Sequence, residues 1–378
     1  MDVFTVRRRI FWVAGCGAMA AGLFAGASGV SSAVPPPVAY PSVSPPRIVA
    51  DTGGDVVVID PATGKLLSAR PSPVGQNPVL LVATPDGKTV YLIEELSGTV
   101  VPYSVATGRP GVPIRVAKQP AVALLAPDGT LYVGGDGAVT PVSTATNRAG
   151  TPIGVHGYVI SIAITPDGRT VYVANSNGFV VPISTAANTA GTPIRVGSPV
   201  ADYGDDSLAV TPDGKTVYVA DASGAIIPIS IATGRKGNPF EVSGTPEGIA
   251  ITPSGAKAYV LRGGSLSAVS PLNLATHSVG KSIPIPGNAD SITMSPDGKT
   301  AYVGYAGGPV IPISTATNAK GTFFGWSQLT TTMAFGKTVY IGTFNGTIYP
   351  VSTATYALGA PLYHPARFGT CWALVVTP

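Results

Sequence analysis

The sequence predicts an all-β propeller, on three observations. Pro-Asp-Gly or Pro-Ser-Gly recurs at Pro85, Pro127, Pro166, Pro212, Pro253 and Pro296, about every 40 residues. Each interval holds four short β-branched runs separated by turn residues. Tyrosine returns at one place in every copy, as Tyr91, Tyr132, Tyr172, Tyr218, Tyr259, Tyr302 and Tyr340, each followed by an aliphatic residue. A period near 40 with four strands per unit is the mark of a propeller, because a lone four-stranded unit leaves both faces bare while stacked units cover one another.

Composition agrees. Gly and Pro together number 84 of 378 residues, and charged residues are only 11% against 45% hydrophobic. No Gly recurs at every third position, which excludes collagen. The breakers are too frequent for a helical bundle.

The chain opens on an export signal at residues 1–33. Arg7, Arg8 and Arg9 precede an apolar run from Ile10 to Val30, and Ser31 and Ala33 give a small-x-small cleavage pattern. Arg8-Arg9-Ile10-Phe11 resembles a twin-arginine signal, and an ordinary secretory signal fits as well. Val13 to Cys16 match a lipobox, but the apolar run continues well past the cysteine. An uncleaved anchor is the other alternative, since the run is long enough to span a membrane. The expected location is therefore secreted or cell-envelope, with a mature domain that does not span the membrane.

Residues 34–46 hold six prolines and read as an extended spacer. Without residues 1–33, which carry three Arg and one Asp, the chain has 20 basic and 18 acidic residues. That near-balance, with no Lys/Arg cluster, speaks against nucleic acid. Cys371 is then the lone cysteine, so no intramolecular disulfide is expected.

Residues 47–378 form the propeller domain. In one copy, Ile160–Thr165, Thr170–Ala174, Phe179–Ser184 and a segment near Pro193–Val196 read as strands. Within the second strand, alternation sends the tyrosine to one neighbouring sheet and the aliphatic residue to the other. The first unit begins midway: Arg47–Asp51 reads as a second strand with Ile48 in the tyrosine's place, and Trp372–Thr377 at the far end supplies its missing first strand. This arrangement gives eight four-stranded blades closed by the C-terminal strand, or seven if one degenerate unit fails to form. Pro102, Pro141, Pro182, Pro228, Pro312 and Pro350 recur in the third strand, where a bulge or an outward-facing N–H is expected.

Units such as Thr165-Pro-Asp-Gly-Arg-Thr-Val-Tyr-Val-Ala-Asn175, followed by Pro182-Ile-Ser-Thr-Ala186, resemble the YVTN-family β-propeller repeat. The resemblance covers nearly the whole mature chain. It implies an exported or surface propeller and is weak for function, since the family's wider relatives include lactonases and domains of redox enzymes.

Candidate site residues lie in the loops opposite the Pro-Asp-Gly turns, whose aspartates read as turn formers. Asp206, Glu247 and Asp290 stand at the starts of three consecutive inner strands. Asp202, Tyr203 and Asp205 share the longest loop. Asp205, Asp206, Glu247 and Asp290 would form an acidic rim able to hold Ca²⁺, although separate solvated carboxylates are the simpler reading. Trp326, Gln328, His364, Arg367, Phe368 and Trp372 share this face and suit sugars or peptides, with Trp372 read as packing. His156 and His364 are acid/base candidates there. No HExxH, CxxCH, Walker loop or nucleophile elbow in strand-to-helix context occurs.

The expectation is thus a monomeric, non-enzymatic module without a cofactor, binding an envelope protein, peptide or glycan. A lactonase- or lyase-like enzyme with its site at the axial mouth and a structural surface-layer component are the alternatives.

Overall fold

A computed structural model describes residues 12–13, 45–73, 78–197, 207–263, 267–289, 291–305, 308–325, 330–335, 338–365, 370–371 and 373–377. The described residues form β-strands and turns without a helix, and none offers a helix long and apolar enough to cross a membrane. Trp12–Val13 pair in parallel with Met333–Ala334.

Among the described residues eight sheets, antiparallel apart from that pair, follow one another along the chain. The unit read from sequence is representative. Val159–Ile164, Thr170–Asn175 and Phe179–Ser184 pair in order, and Phe179–Ser184 also pairs with two short outer pieces, Thr189–Ala190 and Ile194–Arg195. The Pro-Asp-Gly turn between the first two strands builds itself. Thr165 Oγ1 donates to Asp167 Oδ1 at 2.6 Å, Asp167 Oδ1 accepts from Arg169 N, and Gly168 takes φ 70°, open to glycine without steric cost. The same bond joins Thr84 to Asp86 and Thr211 to Asp213. These aspartates are turn formers.

The broken outer strand explains the third-strand prolines. Pro182 lies opposite Tyr172, and its carbonyl accepts from Gly191 N on the outer side at 2.7 Å. A strand residue points its N and O to the same side. The donor that proline lacks therefore faces outward, where the outer strand is interrupted. A Cβ on Gly191 would sit 3.2 Å from the Pro182 ring, tighter than an ordinary contact, so the close approach favours glycine. Pro102, Pro141, Pro228, Pro271, Pro312 and Pro350 repeat the arrangement. No wide inner bulge is required, and the short outer pieces leave little edge for another strand to join.

Tyrosine and aliphatic neighbours divide between seams as alternation demands. Val171 and Val173 pack with the preceding sheet, Tyr172 and Ala174 with the following one. The tyrosine hydroxyl does more than pack. Tyr91, Tyr132 and Tyr259 donate to the side chains of Asn147, Asn188 and Asn318 on the next sheet, at 2.6, 2.7 and 2.6 Å. Each of these asparagines has φ between 50° and 57°, a left-handed conformation Asn tolerates well.

The unit shared by the two ends of the chain departs from expectation by one residue. Ile48–Asp51 pairs with Ala373–Val376 on one side and Asp55–Ile59 on the other. Val49, not Ile48, lies opposite the residue two before the turn threonine, and it packs toward the following sheet as the tyrosines do. Ile48 faces the preceding sheet. Arg47 N donates to Thr377 Oγ1 and Thr377 N to Arg47 O, which repeats the turn pattern of the other units.

Candidate functional site

Of the residues singled out from sequence, Asp202, Tyr203, Asp205, Asp206, Asp290, Trp326, Gln328 and Arg367 lie outside the described residues, as do Phe368 and Trp372. Glu247 is the extra residue of a bulge, since Pro246 pairs with Arg262 and Gly248 with Leu261. It is only 9% exposed, and its carboxyl lies against Gly263, leaving no room there for a Cβ. His156 is exposed at a loop tip with φ 54°, and its carbonyl accepts from the Asn177 side chain.

His364 is held differently. Its chain segment is fixed by Ile348 N donating to Tyr363 O and Leu362 N donating to Ile348 O. The fully buried Thr347 places its hydroxyl 2.7 Å from His364 Nδ1. One ring nitrogen is thereby tied to the fold while the exposed ring offers the other, Nε2. Thr347 is placed in turn by the bend after Val339–Thr343. Thr343 Oγ1 donates to Asn345 Oδ1 at 2.6 Å and reaches Thr347 O at 3.0 Å.

The same seam gathers other chemistry. Cys371 N donates to Thr343 O, and the Cys371 side chain is wholly buried, so the thiol is unavailable for cross-linking in the folded chain. Burial, then the charge of Asp51, pushes the thiol far up from its ordinary range, which makes it inert. Asp51 is also wholly buried. Burial pushes its carboxyl up to about 6, against the opposing pull of Ser72 and the Gly53 N–H. Although Ser72 is close enough to influence it, neither the Ser72 hydroxyl nor Asp51 Oδ2 makes a geometric hydrogen bond. Burial likewise raises Tyr363, which faces Thr52, Asp55 and Cys371.

The site thus draws on residues near 51, 347, 363 and 371, which only pairing of the chain's two ends brings together. Sequence reading found His364 and Cys371. It missed Asp51, Thr347 and Tyr363, although Asp51 left a signal: it is a carboxylate at a strand position that is apolar or glycine in every other unit. No group of three or more His, Cys, Asp or Glu side chains placed to hold a metal ion occurs among the described residues.

No family model matches the chain, and no curated protein matches it. Solved structures do. Kuenenia stuttgartiensis hydrazine synthase is similar at TM-score 0.61 and 20% identity, over 74% of this chain and 96% of that one. The dihydro-heme d1 dehydrogenase NirN, solved in complex with DHE, is similar at TM-score 0.67 and 15% identity, over 86% of this chain and 75% of that one. These likenesses establish the class, an all-β protein of the β-propeller fold.

They also correct the expectation of a non-enzymatic module without a cofactor, because both similar proteins are enzymes and one is a dehydrogenase of a haem. The physical reason is simple. Missing linear motifs exclude only chemistries that need one contiguous segment, whereas a propeller assembles its site from loops of separate sheets.

Proposed function

We propose that this chain is an exported propeller enzyme that works with, or on, a tetrapyrrole bound at the axial mouth, with His364 presenting Nε2 to the ligand's metal. The observation that carries the reading is the Thr347 hydroxyl at 2.7 Å from His364 Nδ1. A hydrogen bond on one ring nitrogen fixes ring orientation, and with Nδ1–H donating to the Thr347 hydroxyl the Nε2 lone pair is free for a metal, the usual support of a metal-bound histidine.

The donor set fits this class better than a bare ion. A bare cation needs several protein ligands, and the described residues group no three. A metallo-tetrapyrrole brings four nitrogens of its own, so a single protein side chain such as His364 would suffice to hold its metal. When bound, it would supply a redox-active or Lewis-acid metal. Without a CxxCH segment the ligand would be held non-covalently.

The wider architecture proposed is a ring of eight YVTN-type blades closed by the C-terminal strand. Eight apolar layers support it, each lying between two sheets that follow one another around the ring. The layers on the two faces of the shared unit join it to the sheets of residues 330–351 and 78–104. The basic-apolar-small start of the sequence supports export.

Titration of the protein with ferric haem tests the reading. A shifted Soret band is expected, with affinity lowered at least tenfold in His364→Ala and less in Thr347→Val. An identical spectrum and affinity in wild type and His364→Ala would refute it.

A further inference from the structure

The shared unit carries one residue that the fold does not need. Two places after the tyrosine, seven sheets hold Ile93, Gly134, Ala174, Ala220, Leu261, Gly304 and Gly342. The eighth, counted from Val49, holds Asp51, which is 0% exposed. Its Oδ1 accepts from Gly53 N at 3.0 Å, while its Oδ2 is buried without a hydrogen bond. A buried carboxylate left partly unpaired is among the costliest groups a sheet can hold in its charged form.

Beyond Gly53 N and the pull of Ser72, its surroundings offer little relief. Asp55 approaches from the third strand, Ser72 from the end of the fourth, and Cys371 from the lead into the C-terminal strand. Tyr363, from the preceding sheet, faces Asp55 and Cys371. The face that carries Val49 packs on Leu81 and Leu92 of the following sheet, which bring no charge. Among the described residues, the one titratable group whose charge bears on Asp51 is the acid Asp55, while Arg70, in register with Asp51 two strands away across Val56, lies by Tyr103 of the following sheet. Arg47 is at the other end of the strand, paired with Asp60.

Asp51 also stands at a mechanically weak place. It pairs with Ala373, the last of four residue pairs that join the N-terminal and C-terminal strands. Those pairs are not covalently reinforced by a connecting turn, since the two strands lie more than 300 residues apart in sequence.

We propose that Asp51 is a proton-operated latch of the seam between the two chain ends: neutral, it lets the C-terminal strand seat, and ionised, it drives that strand toward an open state beside His364. The inference is independent of which ligand the mouth takes.

The direction follows from the raised carboxyl. In the closed seam burial pushes it up to about 6, from the ordinary 3.8 of an exposed aspartate. Closure is therefore favoured fully below 3.8 and weakens as pH rises through 6, above which it levels. Two pH units at tenfold each make the open fraction about a hundredfold larger at the plateau.

Cys371 reports the opening, because it is wholly buried at the seam. Dithiodipyridine labelling of the full chain, read on the Cys371 peptide by mass spectrometry and normalised to a free thiol at each pH, measures the open fraction. The rate should rise about thirtyfold between pH 4 and pH 6 and level about twofold higher above that. Asp51→Asn should stay slow throughout, and Asp51→Ala, which restores the residue found at Ala174 and Ala220, should do the same if the amide disturbs folding. A rise that persists in both variants, or a flat profile in the wild type, overturns the latch.

Discussion

Cutting the Tyr132–Asn188 bond tests how neighbouring sheets are clasped. Tyr132 is fully buried, and its hydroxyl donates to Asn188 Oδ1 at 2.7 Å. Burial, with the charge of Asp128, pushes its pKa up to about 12, so the hydroxyl stays a donor across the ordinary range. Tyr132→Phe removes one neutral hydrogen bond, about 1 kcal/mol. Asn188→Gly removes the same bond and keeps the backbone at ease at φ 50°. Asn188→Ala adds the left-handed strain of a Cβ, about 1 kcal/mol more. Unfolding entropy is about 2.1 cal/mol/K per residue. Over the 332 residues from Arg47 to Pro378, 1 kcal/mol then moves the melting midpoint by about 1.4 °C. Calorimetry should find the Tyr132→Phe, Asn188→Gly double variant no less stable than either single one, and Asn188→Ala lower than Asn188→Gly. Additive losses would show that the two side chains do not interact energetically, and equal midpoints for the Gly and Ala variants would remove the backbone argument.

Three further outcomes follow from the same structure. Gly359→Ala places a Cβ 2.8 Å from the Pro350 ring and should destabilise by about 1 kcal/mol or more, whereas Gly154→Ala meets nothing within 4 Å and should be close to neutral, which paired melts would resolve. The turn hydroxyls of Thr165 and Thr211 hold the Asp167 and Asp213 carboxyls below their ordinary range. Their contribution is present above the unfolded value near 3.8 and lost as pH falls through the lower folded value, so Thr165→Val should shallow the acid limb of a Tm–pH curve. At the mouth, ferric haem should shift its Soret band with wild type and bind far more weakly to His364→Ala.

The repeat was legible because packing repeats. Tyr, Pro and Pro-Asp-Gly recur since each unit meets the same neighbours, and the strands fall within a residue or two of their sequence positions. The shared unit was misread by one residue because Val49 and Ile48 are both aliphatic, and only their partners Val375 and Val376 decide which faces which sheet. The Asn clasp was hidden because its tyrosine lies 56 residues away, in another copy. The split outer strand was hidden because Gly150 and Pro141 matter as a pair across the sheet.

Departures from the repeat then separate architecture from function. His277 and Tyr356 occupy the left-handed position that Asn147, Asn188 and Asn318 hold elsewhere. Packing accounts for both: His277 lies 3.8 Å from the Phe240 ring, and Tyr356 stacks on Phe324 within 3° of parallel. Each replaces a hydrogen-bonded clasp with a ring contact, so His277, though a histidine, needs no chemical role. Asp51 and His364 have no such account. Asp51 costs stability where other sheets place alanine, glycine or a larger aliphatic, and His364 holds one ring nitrogen on a buried threonine while the ring itself stays in solvent. Asp51 lies in the one unit built from the two ends of the chain, and His364 in the stretch that leads into it from the preceding sheet. The repeated sheets offer nearly equivalent seams elsewhere, so that unit and its approach are where chemistry can be added without disturbing the pattern that holds the other seams together.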